Sequence, residues 1–196
     1  YKRQTFEVDE NTGALKSLCL DGEELLASPV TISLFRPATD NDNRDRMGAK
    51  LWRKAGLHTL TQKVVSLKES KTSATAQVNI LNVTGKKVGD ATLEYTLNHN
   101  GSLKVQTTFQ PDTTWVKSIA RLGLTFEMND TYGNVTYLGR GEHETYIDRN
   151  QSGKIGIYTT TPEKMFHYYV IPQSTGNRTD VPVSYTHLRA HETLAN

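Results

Sequence analysis

Two aspartates, two asparagines and an arginine crowd into FRPATDNDN, residues 35–43, directly after the apolar run VTISL. Such a cluster could coordinate a cation, grip a sugar or cap a turn. The calcium option fails on spacing. Asp40 and Asp42 stand two apart, as in a calcium loop, but Arg44 occupies the next ligand position, Asp45 falls where the sharp turn needs glycine, and Leu51 falls where a bidentate glutamate belongs. A second cluster, YLGRGEHETYIDRN, holds Gly139, Gly141, Glu144, Tyr146, Asp148 and Arg149; with no third glycine and no following helix it is not a dinucleotide fingerprint. A third, YYVIPQSTGNRTD, holds Pro172, Gly176, Asn177 and Arg178 in a turn-rich stretch after an aromatic run. Taken singly, each reads as a loop whose arginines and carboxylates hold it together through charge-assisted hydrogen bonds. Two carboxylate pairs, Asp40 with Asp42 and Glu142 with Glu144, have strand spacing, yet no apolar surroundings in the sequence would raise one pKa for acid catalysis. No catalytic residue is expected within this chain.

The end of the chain offers a different temptation. In SYTHLRAHET, His187 and His191 lie four apart beside Glu192, a spacing that a helix could present to zinc. The same peptide is also the translation of a DNA string that looks like a transposon-based sequencing adapter. Residues 182–196 are therefore set apart as a non-biological tail, and the domain is expected to span 1–181, incomplete at its C-terminus.

The elements that must position these clusters are strands. In ATLEYTLN, Ala91, Leu93, Tyr95 and Leu97 point one way while Thr92, Glu94 and Thr96 point the other, and SLKVQTTF repeats the pattern through Leu103, Val105 and Phe109. Asn100 and Gly101 between them suit a tight turn, so the two runs form a hairpin. Further alternation covers Ala74 to Ile80, Ala120 to Met128 with Leu122, Leu124 and Phe126 inward, and shorter runs around Phe6, Leu18, Val64 and Val135, giving at least eight strands. The one helix expected is DRMGAKLWRKA, with Met47, Leu51 and Ala55 on its buried face and Asp45 capping its start. A chain of 196 residues with 36% hydrophobic residues can bury a core, and an all-β antiparallel sandwich is the economical fold. With 23 basic against 21 acidic residues spread evenly, neither nucleic acid nor a membrane surface is an expected partner. No apolar run approaches the roughly 20 residues of a membrane helix. Cys19, alone between Leu18 and Leu20, reads as a small packed residue, and the absence of an initiator methionine suggests a piece of something longer.

In this order the three stretches resemble the C-terminal small-chain, or fifth, domain of the β-galactosidases of glycoside hydrolase family 2. The family writes the first as Phe or Trp, Arg, Ala, Pro, Thr, Asp, Asn, Asp; here Pro37 and Ala38 are exchanged while Phe35, Arg36, Thr39, Asp40, Asn41 and Asp42 stand. LWRKAGL follows with Trp52, Ala55 and Gly56 in register. The second pattern, Gly-x-Gly-Pro-x-Glu-x-Tyr-x-Asp-Arg, is met by Gly139, Gly141, Glu144, Tyr146, Asp148 and Arg149, with Glu142 replacing proline and Tyr137 standing where tryptophan is common. In the third, Tyr169, Pro172, Gln173, Gly176, Asn177 and Arg178 fit, and Ser174 replaces a glutamate, so a charged contact from that position is expected to be missing. Between Leu57 and Asp130 the resemblance rests on strand pattern alone.

The resemblance implies an antiparallel β-supersandwich of the galactose mutarotase kind beside a catalytic barrel. It implies retaining hydrolysis of terminal β-D-galactosides by two glutamates that lie on that barrel, outside this chain. Asp40, Asn41, Asp42, Asn43 and Arg44 would border the substrate site, the motif through Asp42 anchoring a mobile mouth loop that runs from Asn43 to Lys50, while Arg36, Gly139, Gly141, Glu144, Tyr146, Asp148, Arg149, Pro172, Gly176, Asn177 and Arg178 would be structural. No cofactor is expected in this chain; intact members commonly use Mg and Na, bound mainly by other domains. The expected partners are the β-galactoside, the remaining domains and, in a bacterial parent, further copies of the enzyme. Two alternatives stay open: a free-standing carbohydrate-binding module, and a mutarotase-like aldose epimerase drawing on His99, His143 or His167.

Overall fold

The cleanest alternation in the sequence becomes a meander. In the computed structural model, which describes residues 4–43, 48–129 and 131–187, β5 (Leu60–Glu69), β6 (Ser73–Asn82), β7 (Lys87–Leu97) and β8 (Leu103–Pro111) form an antiparallel four-stranded sheet in sequence order. Its inner face takes Ala74, Ala76, Val78 and Ile80 from β6 and Ala91, Leu93 and Tyr95 from β7, as the two-residue period requires. The hairpin between β7 and β8 closes where expected, with Gly101 at φ +83° and the Asn98 amide on the Ser102 carbonyl at 2.9 Å.

A second, five-stranded sheet orders β1 (Gln4–Val8), β2 (Leu15–Leu20), β4 (Leu26–Ser33) and β9 (Gly123–Met128), with the short β3 (Glu23–Glu24) beside β2. Val8, Leu15, Val30, Ile32 and Leu34 share one core with the inner face of the meander, so the two sheets are the layers of a sandwich. The layers come close because the meander offers small side chains. A Cβ on Gly13, which sits at φ +69°, would stand 2.8 Å from atoms of both Ala76 and Val78. Two polar tethers finish the join: the Tyr95 hydroxyl donates to the Gly13 carbonyl at 2.9 Å, and Gln62 accepts the Ile32 amide at 2.7 Å while donating to the Thr12 carbonyl at 2.9 Å.

Two expectations fail here. Leu122 and Phe126 are 52% and 55% exposed, and Leu124 alone of that trio packs on the core. β9 is an edge strand whose pairing with β4 slips between Ser28 and Thr31, so Phe126 falls in the irregularity and Leu122 before the strand begins. Helix α1 (Gly48–Lys54) is seven residues long and buries Ala49 and Trp52, followed by Ala55, while Leu51 is 41% exposed. The buried stripe runs at a three-residue step rather than the four-residue step read from the sequence. Met47 and the capping Asp45 lie outside the described residues. A second short helix, α2 (Pro162–Met165), was not anticipated; Pro162 opens it, with Thr161 preceding.

The chain divides into two compact units, residues 1–128 and 129–196, and the two sheets and α1 belong to the first. The second is a three-stranded antiparallel sheet ordered β11 (Lys154–Thr160), β10 (Asn134–Gly141), β12 (Val183–His187), with α2 and two long loops. Residues 183–187, assigned in the sequence to the tail, thus form a strand against β10, and every described side chain from 181 to 186 is exposed.

Candidate functional site

In the first unit the chain leaves β4 through Leu34 and enters the Arg36–Asp42 turn before α1. Arg36 and Asp42 meet as a planar fork on a carboxylate, Nη1 to Oδ2 at 2.6 Å and Nη2 to Oδ1 at 3.2 Å. Oδ2 also accepts the amide and the hydroxyl of Thr39, each at 2.8 Å. The backbone closes around this pair in a 3-10 turn, Asn41–Asn43, with the Asp42 amide on the Thr39 carbonyl and the Asn43 amide on the Asp40 carbonyl. Trp52 supplies the floor: its ring lies 5.4 Å from the Arg36 guanidinium, and its Nε1 donates to Ser118 Oγ at 3.1 Å. Gly48 leaves room for that indole, since a Cβ there would stand 2.3 Å from the ring.

The electrostatics follow from the contacts. Burial pushes the Asp42 carboxyl up, but the hydrogen bonds from Arg36 and Thr39 outweigh it and hold the group below the usual aspartate value. Asp42 is therefore a committed anion near neutrality and no proton donor. Asp40, Asn41 and Asn43 are exposed on the turn that Asp42 fixes, and Arg44 lies outside the described residues.

In the second unit the other two motifs meet each other. Thr145 and Asn177 exchange backbone and side-chain bonds, the Thr145 amide to the Asn177 carbonyl at 2.9 Å and Asn177 Nδ2 to the Thr145 carbonyl at 2.7 Å. Thr145 is fully buried, and its hydroxyl lies 3.0 Å from that of Thr179 while accepting the Thr179 amide at 3.0 Å. Glu144 accepts the Tyr169 hydroxyl and the Gly176 amide, and Arg149 approaches it at 3.8 Å while lying 4.4 Å from the Tyr146 ring. Burial raises the Glu144 carboxyl, but those donors lower it further and it ends below its ordinary value. Arg178 donates Nε to the Tyr137 hydroxyl at 2.8 Å and Nη2 to the Glu142 carbonyl at 3.1 Å. Gly139 and Gly141 are buried because neighbours fill the space a Cβ would need: Val181 at 2.6 Å for the first and the Tyr137 hydroxyl at 2.3 Å for the second. Asp148 and Pro172 are exposed.

The substituted positions are also filled. Ser174, where a glutamate was expected, is buried and its Oγ accepts the Tyr146 hydroxyl at 3.1 Å. Arg140 and Asp180, which the motif reading passed over, form an ion pair at 2.5 Å, and Arg140 also reaches the Gly153 carbonyl at 3.0 Å. The alternation of β10 placed Arg140 opposite Ile155, but nothing local announced its partner forty residues on.

Neither carboxylate pair is arranged for acid and base work, because one member of each, Asp42 or Glu144, is locked by donors. His99 sits in the β7–β8 turn, His143 lies 3.0 Å from Ser152 Oγ, and the His167 ring stacks edge-on to Tyr169 at 4.6 Å. Among the described residues no three His, Cys, Asp or Glu side chains converge to hold a metal ion. Of the residues whose spacing suggested zinc, His191 and Glu192 lie outside the described residues.

Comparison with known proteins decides the family. The model of the β-galactosidase small chain matches residues 1–190. The chain belongs to the β-galactosidase small-chain family. It is 30% identical over 180 residues, 88% of its length, to a β-galactosidase of Priestia megaterium, and 30% identical over 189 residues to one of Kluyveromyces lactis. A β-galactosidase of Yersinia enterocolitica is 26% identical over 189 residues. The small-chain sequence spans only 16–18% of the length of these relatives, so it corresponds to a fragment of each.

Proposed function

We propose that this chain is the non-catalytic small-chain domain of a longer β-galactosidase, one that walls the galactoside site while the bond-breaking carboxylates reside elsewhere in the polypeptide. The observation that carries this reading is the family match over nearly the whole chain, set against relatives about five times its length. The chemistry would be retaining hydrolysis, with a nucleophilic and an acid/base carboxylate about 5 Å apart. The contribution of this chain is position. The Arg36–Asp42 clamp, packed on Trp52, fixes the turn that presents Asp40, Asn41 and Asn43, and with them the start of the loop that would edge the sugar. The interlocked loops of the second unit are scaffold. The domain assignment over 1–181, with foreign residues after it, belongs to the same proposal and rests on the adapter-like sequence, set against a β12 strand that pairs with β10 and a family match that runs to residue 190.

The test is Asp40→Ala in the full-length enzyme. The expected result is a raised KM for a chromogenic galactoside with kcat and thermal midpoint near those of the parent; unchanged kinetics with unchanged stability would reject the bordering role. The purified chain by itself should neither hydrolyse the galactoside nor speed galactose anomer interconversion, and turnover or interconversion would overturn the non-catalytic assignment.

A further inference from the structure

Away from the Arg36–Asp42 turn, a cleft of about 500 Å³ opens between the end of α1, the β6–β7 turn and the segment after β8. We propose that it binds a small organic anion, a carboxylate or phosphate head on a ring-shaped body.

Charge is the first reason. Lys54, Lys86 and Lys117 all line the cleft, and no carboxylate does among the described residues. Asp112 neighbours Lys86, but its carboxylate is engaged by the Thr114 hydroxyl at 2.5 Å and the Thr114 amide at 3.1 Å. Lys117 Nζ donates to the carbonyls of Thr113 and Thr114 at 3.1 and 3.0 Å and so is held at the cleft edge, and an anion entering the space would be drawn by the positive charge of the three lysines that line it.

The floor is the second reason. Trp115 and Leu51 give the cleft an apolar base, and Leu51 stays 41% exposed on a helix whose other apolar residues are buried. The Trp115 ring is fixed by its Nε1 donating to the Lys87 carbonyl at 3.1 Å, and Lys86 Nζ stands 4.0 Å from the ring centre. A ring packed on that base would place its charged head among the lysines.

The third reason is rigidity. Asn82, buried beneath the cleft, donates to the Ala55 carbonyl at 3.2 Å, and its Oδ1 accepts the amides of Thr84 and Lys86 at 3.0 Å each. One side chain thus ties the helix end to the turn that carries Lys86. A site so braced loses little freedom on binding, which favours small ligands.

The probes are phenyl phosphate and benzoate, with benzyl alcohol as the uncharged body and inorganic phosphate as the bare head. The whole chain, labelled with ¹⁵N, is followed through its two tryptophan indole signals, assigned by Trp115→Phe or by backbone-linked experiments if that variant does not fold. At least one of the two aryl anions should shift the Trp115 signal saturably, with Trp52 little moved, and bind about tenfold more tightly than either control. Lys86→Gln and Lys117→Gln should each weaken that binding about fivefold or more while leaving the far-ultraviolet spectrum unchanged, and added salt should weaken it further. The better anion names the head the site takes. Absence of saturable shifts with either anion, equal binding of benzyl alcohol, or unaltered affinity in both lysine variants would overturn the proposal.

Discussion

Asp42 shows how one side chain converts a polar sequence cluster into geometry. Its two oxygens collect four donors from Arg36 and Thr39, and its folded-state value lies below the ordinary aspartate value of 3.8. A depressed folded-state value means the contribution is whole above that ordinary value and drains away as the pH falls through the folded one. Asp42→Asn should therefore lower the stability of the chain at neutral pH by about 1–3 kcal/mol. In urea titrations the difference from the parent should narrow as the pH is taken below 3.8. Glu24 offers a separate reading of the same principle. Burial raises its carboxyl, yet the Ser17 hydroxyl and the amides of Leu18 and Leu26 bring it down to about 2. Its stabilising share should be complete above 4.5 and lost between there and about 2, so Glu24→Gln should remove that part of the acid dependence.

At the scale of elements, the short helix matters through what anchors its two ends. Trp52 fills the space above Gly48 and reaches Ser118, while Asn82 holds the Ala55 carbonyl just past the last turn. Asn82→Ala strips the buried partner from Ala55, Thr84 and Lys86 together and should cost about 2 kcal/mol, read as a shift of the denaturation midpoint with an unchanged slope. In the second unit the equivalent brace is Thr145. Thr145→Val keeps the shape but leaves the Thr179 amide without its acceptor, and should destabilise the chain by about 1–3 kcal/mol. Accelerated amide exchange at Thr179, with the β5–β8 sheet unaffected, would localise the effect.

Across the whole molecule the two units differ in how they treat apolar surface. The first encloses a core shared by two sheets, whereas the buried hydrophobic residues described in the second are Tyr137 and Tyr146. Its register sets Leu138 beside Ile157, with Ile155 two residues earlier on the same strand, so these apolar side chains share one face of the sheet; Ile157 is 75% exposed and Ile155 57%. A contiguous face of this kind on a small sheet is a surface built to be covered. Within the proposed parent enzyme, other parts of the polypeptide would cover it. Ile157→Lys should accordingly leave the isolated chain as stable as before, and more soluble, while lowering the yield of active full-length enzyme. An equal tolerance in both settings would contradict a covered face.

Whatever depends on neighbours along the chain was legible before folding. The period of two in residues 74–80 and 91–97 announced both strands and their buried faces, and Asn100-Gly101 announced the turn, because side-chain direction and backbone freedom are local properties. The three motifs were legible for the same reason: each is contiguous. The sequence was silent where partners are distant. It gave no sign that residues 144–145 and 176–179 interlock, or that Asp180 pairs with Arg140. It misjudged α1 and β9, where the helix face that fits and the slip in an edge strand are set by packing rather than by spacing. Only the tertiary structure could decide these, since a hydrogen bond or a buried contact between residues far apart in the chain has no energy until the fold has brought them together.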